Sequence, residues 1–213
     1  MEKLQIPFIE IAGIPSSNDV ALCLNQLHPI EIGHNPWPQF SNSVKANYTI
    51  AHNGNAIFLK YQIEEGYVLA NATTNQNVHN DSCVEFFIAF GEDENYYNLE
   101  FNCLGWSKIG YGFNRKNRYL LPSCIVETIS SFTRIEAAAV NAVKLFDWEI
   151  TVVIPLSVFS FHNFNSFKSL KARGNFYKCG TKMPEPHYLT WNLVKSLEPD
   201  FHRKEDFALM EFS

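Results

Sequence analysis

The sequence predicts an all-β protein, an antiparallel β-sandwich of the immunoglobulin or jelly-roll kind with one or two short helices. Three observations predict this class: many short segments alternate apolar and polar residues, these segments recur at regular spacing, and helical periodicity is scarce. The 213 residues, 46% of them hydrophobic, suffice for one large core. Because no repeat, low-complexity tract or linker divides the chain, we expect a single domain over residues 1–213.

Two hairpins are the clearest elements. In the first, residues 44–50 and 57–63 alternate around Asn53-Gly54, the pair preferred in type I′ turns. In the second, residues 84–90 and 97–101 alternate on either side of an acidic turn. Further strands are expected at 3–11, 106–113, 132–140, 147–154, 171–179 and 207–212. A helix is expected over Asn18–Leu27 with Ser16 or Ser17 as its N-cap, one helical turn over 156–160, and long irregular connections at 28–43, 65–82 and 180–206.

Composition excludes several classes of function. The net charge of -5 and the lack of a basic run argue against a nucleic-acid partner and against binding to an anionic membrane. No stretch approaches the roughly 18 apolar residues of a membrane span. The five cysteines include no CxxC pair, so the spacing indicates neither a disulfide framework nor a zinc site. As written, the chain shows no signal peptide and is expected in the cytoplasm, or in the periplasm or outside the cell if an export signal has been removed.

The second hairpin carries a row of polar side chains on its non-core face: Glu85, Asn98, Glu100 and Asn102. Such a row on a rigid sheet suits recognition of a polar ligand, although a solvated sheet face has the same pattern. The long connections add aromatic and hydrogen-bonding side chains: Trp37, His79, Trp106, Tyr188, Trp191, Asn192, Phe201, His202 and Arg203. Sugars stack their C–H faces on rings and hydrogen-bond through their hydroxyls. The combination therefore indicates saccharide binding, with rings that cap the sandwich as the alternative.

Five segments resemble the family 9 carbohydrate-binding modules, in the same order along the chain. DSCVEFFIAF is similar to that family's DDSVEIFID-type strand, Trp148–Leu156 ends in IPL, and KARGNFY begins at Lys171. A Trp-Asn pair follows at 191–192, and PDFHRKEDFALMEF resembles the terminal PxxFGxLxF strand. The resemblance runs from about residue 40 to the end. The NFYKCG, PHYLTW and PDFHR segments resemble family 9-like proteins of gut Bacteroidetes, which implies a role in polysaccharide metabolism.

The resemblance implies a β-sandwich shared with DOMON domains, non-catalytic binding of a mono- or oligosaccharide, and the option of structural calcium. Glu85 matches the family's sugar-contacting Glu. His79 occupies the position of the first sandwiching Trp, six residues earlier, and Phe201 and His202 lie in the region of the second. Neither Trp is present, so the fold carries over better than the ligand. The expected ligand contacts are Glu85, His79, Asn98, Glu100, Arg173, Asn175, Lys178, Trp191 and Phe201, with no residue assigned to catalysis or to a metal.

Three other functions stay open at this point. A saccharide hydrolase would need two of Glu85, Glu100 and Glu149 across a cleft, one of them with a raised pKa. A haem-binding DOMON-like role would need a Met or His pair in one pocket. A protein-interaction sandwich without a small ligand would need a large apolar outer patch.

Overall fold

Two β-sheets face one another across a shared apolar core in the computed structural model, which describes residues 3–40, 42–140 and 143–213. Numbered in chain order, the first sheet runs β1 (Lys3–Ile6), β13 (Ala208–Phe212), β11 (Lys171–Cys179), β5 (Cys83–Phe90), β6 (Tyr96–Asn102), β7 (Ser107–Gly112) and β8 (Tyr119–Leu120), and β12 (Tyr188–Thr190) also pairs with β11. The second runs β2 (Ile30–Glu31), β3 (Lys45–His52), β4 (Ala56–Glu65), β10 (Val143–Pro155) and β9 (Ser130–Val140). These pairings are antiparallel except β1 with β13, which is parallel.

Among the described residues, helix is limited to two short elements and single 3₁₀ turns. Helix α1 spans Ser17–Leu24, and Ser16 caps it by accepting a hydrogen bond from the backbone N–H of Asp19. Helix α2 spans Ser123–Val126. The 3₁₀ turns lie at 38–40, 78–80, 156–158 and 204–206. Within the described ranges, no helix is long and apolar enough to cross a bilayer.

The predicted sandwich is confirmed, and each predicted strand has a counterpart in the structure. The N-terminal strand ends at Ile6 rather than residue 11, because Pro7 follows and has no backbone N–H for the sheet. Strands β2, β8 and β12 and helix α2 were not predicted. The three strands are only two or three residues long, too short for an alternating pattern to identify.

The turn of the first hairpin differs from the type I′ prediction. Such a turn needs two residues with positive φ, but only Gly54 has one, at +85°. The connection has three residues, Asn53 to Asn55, and the Asn53 Oδ1 accepts hydrogen bonds from the N–H groups of Asn55 and Ala56, each at 3.0 Å. The Asn53 side chain thus replaces backbone contacts that a two-residue turn would make.

The two faces of the first sheet are both covered. Inward side chains pack against the second sheet, where the rings of Tyr48, Phe176 and Phe86 form a stack with centroid separations of 3.8 and 4.7 Å. The outward side chains of β5, β6 and β11 form a second apolar cluster with loop residues such as Trp37 and Phe201. The connections at 28–43 and 180–206 therefore lie over the outer face, and part of that face is left as a pocket.

A candidate binding pocket on the outer face of the first sheet

A pocket of about 400 Å³ opens over the outward side chains of β5, β6 and β7. Its volume falls within the roughly 300–1,000 Å³ of small-molecule sites. Its floor comes from the sheet and its walls from loops on either side. The lining residues are His79, Glu85, Asn98, Glu100, Lys108, Gly110, Arg115, Arg118, Leu120, Cys179, Thr181, Tyr188, Pro199, Asp200, Phe201 and His202.

Strand register places the floor residues side by side. Glu85 lies opposite Glu100, and Glu100 lies opposite Lys108, so three ionisable side chains form one row across β5, β6 and β7. Asn98 lies opposite Gly110 in the next row that faces the same way. The polar row seen in the sequence is therefore contiguous and extends onto β7.

Arg118 orients the floor from the loop before β8. Its five N–H groups are all engaged: Nε donates to Asn98 Oδ1 at 2.8 Å, and the two terminal nitrogens donate to the carbonyls of Gly112, Asn114, Tyr96 and Gly110. Because Arg118 can only donate, the oxygen of the Asn98 amide faces it and the nitrogen faces Glu100. Asn98 Nδ2 then donates to Glu100 Oε1 at 2.7 Å, which fixes the carboxylate.

Gly110 allows this arrangement. A Cβ at this position would lie 2.7 Å from Asn98 Oδ1 and 3.1 Å from Arg118 Nε. Any larger residue would therefore displace the hydrogen bond that joins them.

The second oxygen of Glu100 faces His79. Glu100 Oε2 is buried, accepts no hydrogen bond from the residues that the structure describes, and lies 3.5 Å from His79 Nδ1. Pairing with Glu100 is the main reason that the pKa of His79 is raised. Glu100 therefore presents an acceptor at the pocket floor beside an imidazole that favours its charged form.

Glu85, the other carboxyl group of the floor, has a raised pKa. Burial, and after it the neighbouring Cys179 and Glu100, raise the pKa of Glu85 well above its usual range. This shift favours the protonated form of Glu85, in which the carboxyl group can donate as well as accept hydrogen bonds. The Cys179 thiol contacts Glu85 Oε1 at 3.2 Å.

Aromatic rings from the connection at 180–206 form one wall of the pocket. Phe201 stacks on Tyr177 with centroids 4.1 Å apart, and Tyr188 packs edge-on against Trp37 and Phe40. His202 accepts or donates a 2.8 Å hydrogen bond with Tyr96 Oη. Burial is the main cause that lowers the pKa of His202 to about 3, so its ring stays neutral.

The structure brings together five of the nine side chains predicted as ligand contacts: His79, Glu85, Asn98, Glu100 and Phe201 all line the pocket. Their contact with a ligand stays a prediction. The other four, Arg173, Asn175, Lys178 and Trp191, lie outside the pocket lining.

These four side chains have other partners. Lys178 points into the sandwich and pairs with Glu65 at 2.8 Å, because alternation on β11 puts it on the face opposite to Asn175. Asn175 faces outwards but fastens the chain at Asn192 through two hydrogen bonds. Arg173 donates to the carbonyl of Asp93 at 3.3 Å. Trp191 is buried in the core, where it packs edge-on against Tyr48 and Phe176.

Several lining residues were not among the nine predicted ligand contacts. Lys108 and Gly110 were accessible to the same alternation argument, since the strand at 106–113 was expected and these two share a face. Arg115 and Arg118 lie in a loop whose path only the tertiary structure shows. Tyr188 and His202 of the 180–206 connection were named as loop residues that indicate saccharide binding but not as expected contacts, and Asp200 of the same connection was not named.

A family model described as "Carbohydrate-binding family 9" matches residues 16–212. The chain belongs to carbohydrate-binding family 9. A Bacteroides uniformis crystal structure, described as that of a candidate carbohydrate-binding protein, is similar over 100% of this chain and 99% of its own, with 28% identity and a TM-score of 0.92. Among functionally curated proteins, none matches the chain significantly.

Two solved structures of a family 9 module from Caldicellulosiruptor kristjanssonii share the fold. The complex with glucose has a TM-score of 0.58 at 8% identity and covers 100% of this chain and 96% of its own. The complex with cellotriose has a TM-score of 0.57 at 8% identity and covers 99% and 93%. At this identity the likeness concerns the fold alone.

Glu149, the third carboxylate of the hydrolase hypothesis, and the acidic turn of this family 9 chain form ion pairs outside the pocket. Glu149 lies on the second sheet, where it pairs with Lys60 at 2.5 Å and Arg134 at 2.8 Å. In the acidic turn, Asp93 pairs with His162 and Glu94 pairs with Lys204. Met183 and Met210 are buried and are not among the pocket-lining residues.

Proposed function

We propose that this family 9 chain is a non-catalytic carbohydrate-binding module that holds a short saccharide in the pocket over β5, β6 and β7. The observation that carries this proposal is the combination, in one pocket, of a polar floor and an aromatic wall. Small-molecule sites place a few oriented polar groups among apolar surfaces in the same way.

The floor is suited to hydroxyl groups. Glu100 Oε2 is a fixed acceptor to which no residue within the described ranges donates a hydrogen bond. Glu85 in its protonated form supplies a donor, and Lys108 supplies a cation whose Nζ also donates to Asn77 Oδ1 at 3.2 Å. Because Arg118 and Asn98 hold Glu100 in place, little side-chain entropy is lost when a ligand binds.

The wall is suited to a sugar ring. Phe201 and Tyr188 line the pocket, and the neighbouring rings of Tyr177 and Trp37 support them from behind. Neither ring has a tryptophan's area. We therefore expect weaker stacking than two tryptophans would give, and an affinity that depends on the floor.

The chemistry of the floor favours binding over hydrolysis. A glycosidase holds its two carboxyl groups on opposite sides of the scissile bond. Here Glu85 and Glu100 are cross-strand neighbours that approach the pocket from the same sheet, and Glu149 lies on the other sheet in ion pairs. Glu149 is therefore excluded as a partner, and the common origin of Glu85 and Glu100 on one sheet favours binding, although Glu85 has the raised pKa of a general acid.

Isothermal titration calorimetry against glucose, cello-oligosaccharides and a panel of other mono- and oligosaccharides tests the proposal. Gluco-configured sugars come first because the structural neighbours were solved with glucose and cellotriose. Each titration is run with and without Ca²⁺, which tests structural calcium as a separate proposal, and product release is followed to detect hydrolysis.

Glu100→Gln is the test variant and Gln62→Ala, an exposed outward position on the second sheet, is the matched control. We expect at least a tenfold weaker affinity in Glu100→Gln and no change in Gln62→Ala. An absence of heat with every saccharide, or equal affinity in both variants, would refute the proposal. Sugar release that depends on Glu85 would favour the hydrolase instead.

A further inference from the structure

A compact cluster of three donor side chains lies at the floor of the pocket. Sγ of Cys83, Sγ of Cys179 and a carboxylate oxygen of Glu85 all lie within 4.8 Å of one another. The three side chains are 0%, 1% and 3% exposed. Strand pairing creates the cluster, because Cys83 lies directly opposite Cys179 on β11, and Glu85 follows Cys83 by two residues on the same face of β5.

The donors have few other partners. Cys179 Sγ lies 3.2 Å from Glu85 Oε1 and 3.7 Å from the carbonyl of His79. Cys83 Sγ has a 3.7 Å contact to the carbonyl of Val84. The two 3.7 Å contacts to carbonyls are long and weak, and the 3.2 Å contact joins two of the three donors themselves, so an ion could replace them at small cost in hydrogen bonding.

The chemistry of the donors selects a class of metal ion. Two sulfur ligands favour a soft or borderline cation such as Zn²⁺ over Ca²⁺ or Mg²⁺, which take oxygen ligands. Zinc–sulfur and zinc–oxygen bonds of about 2.3 and 2.0–2.2 Å set tetrahedral ligand separations of about 3.5–3.8 Å. Donor atoms already within 4.8 Å of one another need only small side-chain rotations to reach these separations.

We infer that Cys83, Cys179 and Glu85 form a binding site for one zinc-class divalent cation. Glu85 and Cys179 line the pocket while Cys83 lies beneath them, so the fourth coordination position faces the pocket. Three protein ligands and one open position form an accepted zinc geometry. The inference does not depend on saccharide binding, because the donors and their access come from the pocket itself.

Co²⁺ titration of the full chain tests the site. The protein is first reduced with a phosphine, and its five thiols are counted so that the starting state is defined. We expect a near-ultraviolet thiolate-to-cobalt absorption that saturates at one ion per chain, disappears on addition of Zn²⁺ and persists in excess Ca²⁺. Cys83→Ser and Cys179→Ser should each weaken Co²⁺ binding at least tenfold, and the buried Cys103→Ser and exposed Cys124→Ser should not.

A second measurement avoids reliance on variants of buried residues. X-ray absorption of the zinc-loaded natural chain should show two sulfur ligands at about 2.3 Å. A shell of oxygen and nitrogen alone, no absorption band in the fully reduced protein, or a band that survives in both serine variants would overturn the inference. The inference would also be overturned if the reduced protein did not bind Co²⁺ and formed a Cys83–Cys179 disulfide on air oxidation.

Discussion

The ion pair between Lys178 and Glu65 leads to the most direct prediction. Lys178 on β11 and Glu65 at the end of β4 join the two sheets through a 2.8 Å contact, and their side chains are 0% and 1% exposed. Trp148 Nε1 donates to the other Glu65 oxygen at 2.6 Å. Glu65→Gln keeps an acceptor for Trp148 but removes the charge that balances Lys178.

The size of the effect follows from burial. Loss of one partner of a buried ion pair costs about 3–5 kcal/mol, because the remaining charge stays desolvated. Lys178 keeps its contacts to the Cys179 carbonyl and to His187 Nε2 at 3.0 and 2.8 Å, so we expect the lower end, about 3 kcal/mol. For a chain of this length, that loss lowers the melting temperature by roughly 6–12 °C.

Urea unfolding followed by tryptophan fluorescence measures the loss, and the preceding residue supplies the control. Glu64 pairs with Lys45, whose side chain is 72% exposed, so Glu64→Gln should leave the unfolding midpoint nearly unchanged. Replacement of both partners, Glu65→Gln with Lys178→Met, should recover part of the stability. Equal midpoints for Glu65→Gln and Glu64→Gln would refute the argument from burial.

Three further predictions concern the pocket and pH. Gly110→Ala should weaken saccharide binding severalfold, because the alanine Cβ would displace the Asn98–Arg118 hydrogen bond. Calorimetry measures the change, with Gly66→Ala as the control because Gly66 has open space around it. Equal affinities of the two variants would contradict the prediction. Arg118→Lys should weaken saccharide binding about tenfold or more, since lysine cannot reproduce the five fixed donors of arginine. Arg134→Lys on the second sheet should leave the affinity unchanged. Calorimetry on both variants tests the prediction, and equal affinities would contradict it. Burial, and after it Lys178, lower the pKa of His187 in the folded chain to about 4. As the pH drops below about 6.5, the unfolded chain therefore binds a proton at His187 that the folded chain does not bind until about pH 4. The free energy of unfolding should therefore fall as pH drops from 6.5 towards 4, less steeply in His187→Gln, and a flat urea-unfolding profile over that window would contradict this.

Local patterns were sufficient for the longer strands but not for the strands of two or three residues, nor for the turn of the first hairpin. Alternation at 84–90 and 97–101 gave the inner and outer faces of β5 and β6 as the structure has them. The same alternation puts Lys178 and Asn175 on opposite faces of β11. The two residues therefore could not both contact a ligand on the outer face, although both were predicted as contacts. The Asn53 turn departed from expectation because a side chain, rather than backbone conformation alone, closes it.

The pocket depended on contacts between distant segments. His79, Glu100 and Phe201 come from three separate regions, and Arg118 reaches Asn98 across β7 from a loop without a recognisable pattern. Trp191 is the opposite case: the sequence predicted a ligand contact because this aromatic residue lies in a long connection. The structure packs it between the two sheets.

The sequence by itself determined the sandwich, the outward row on β5 and β6 and the family, because strand alternation and short motifs are properties of neighbouring residues. Only the tertiary structure decided which outward residues line the pocket, which side chains carry a fixed orientation and where the two thiols meet. Those outcomes depend on which loops fold over the sheet and on which strands pair. Long-range packing sets both, and no local pattern records them.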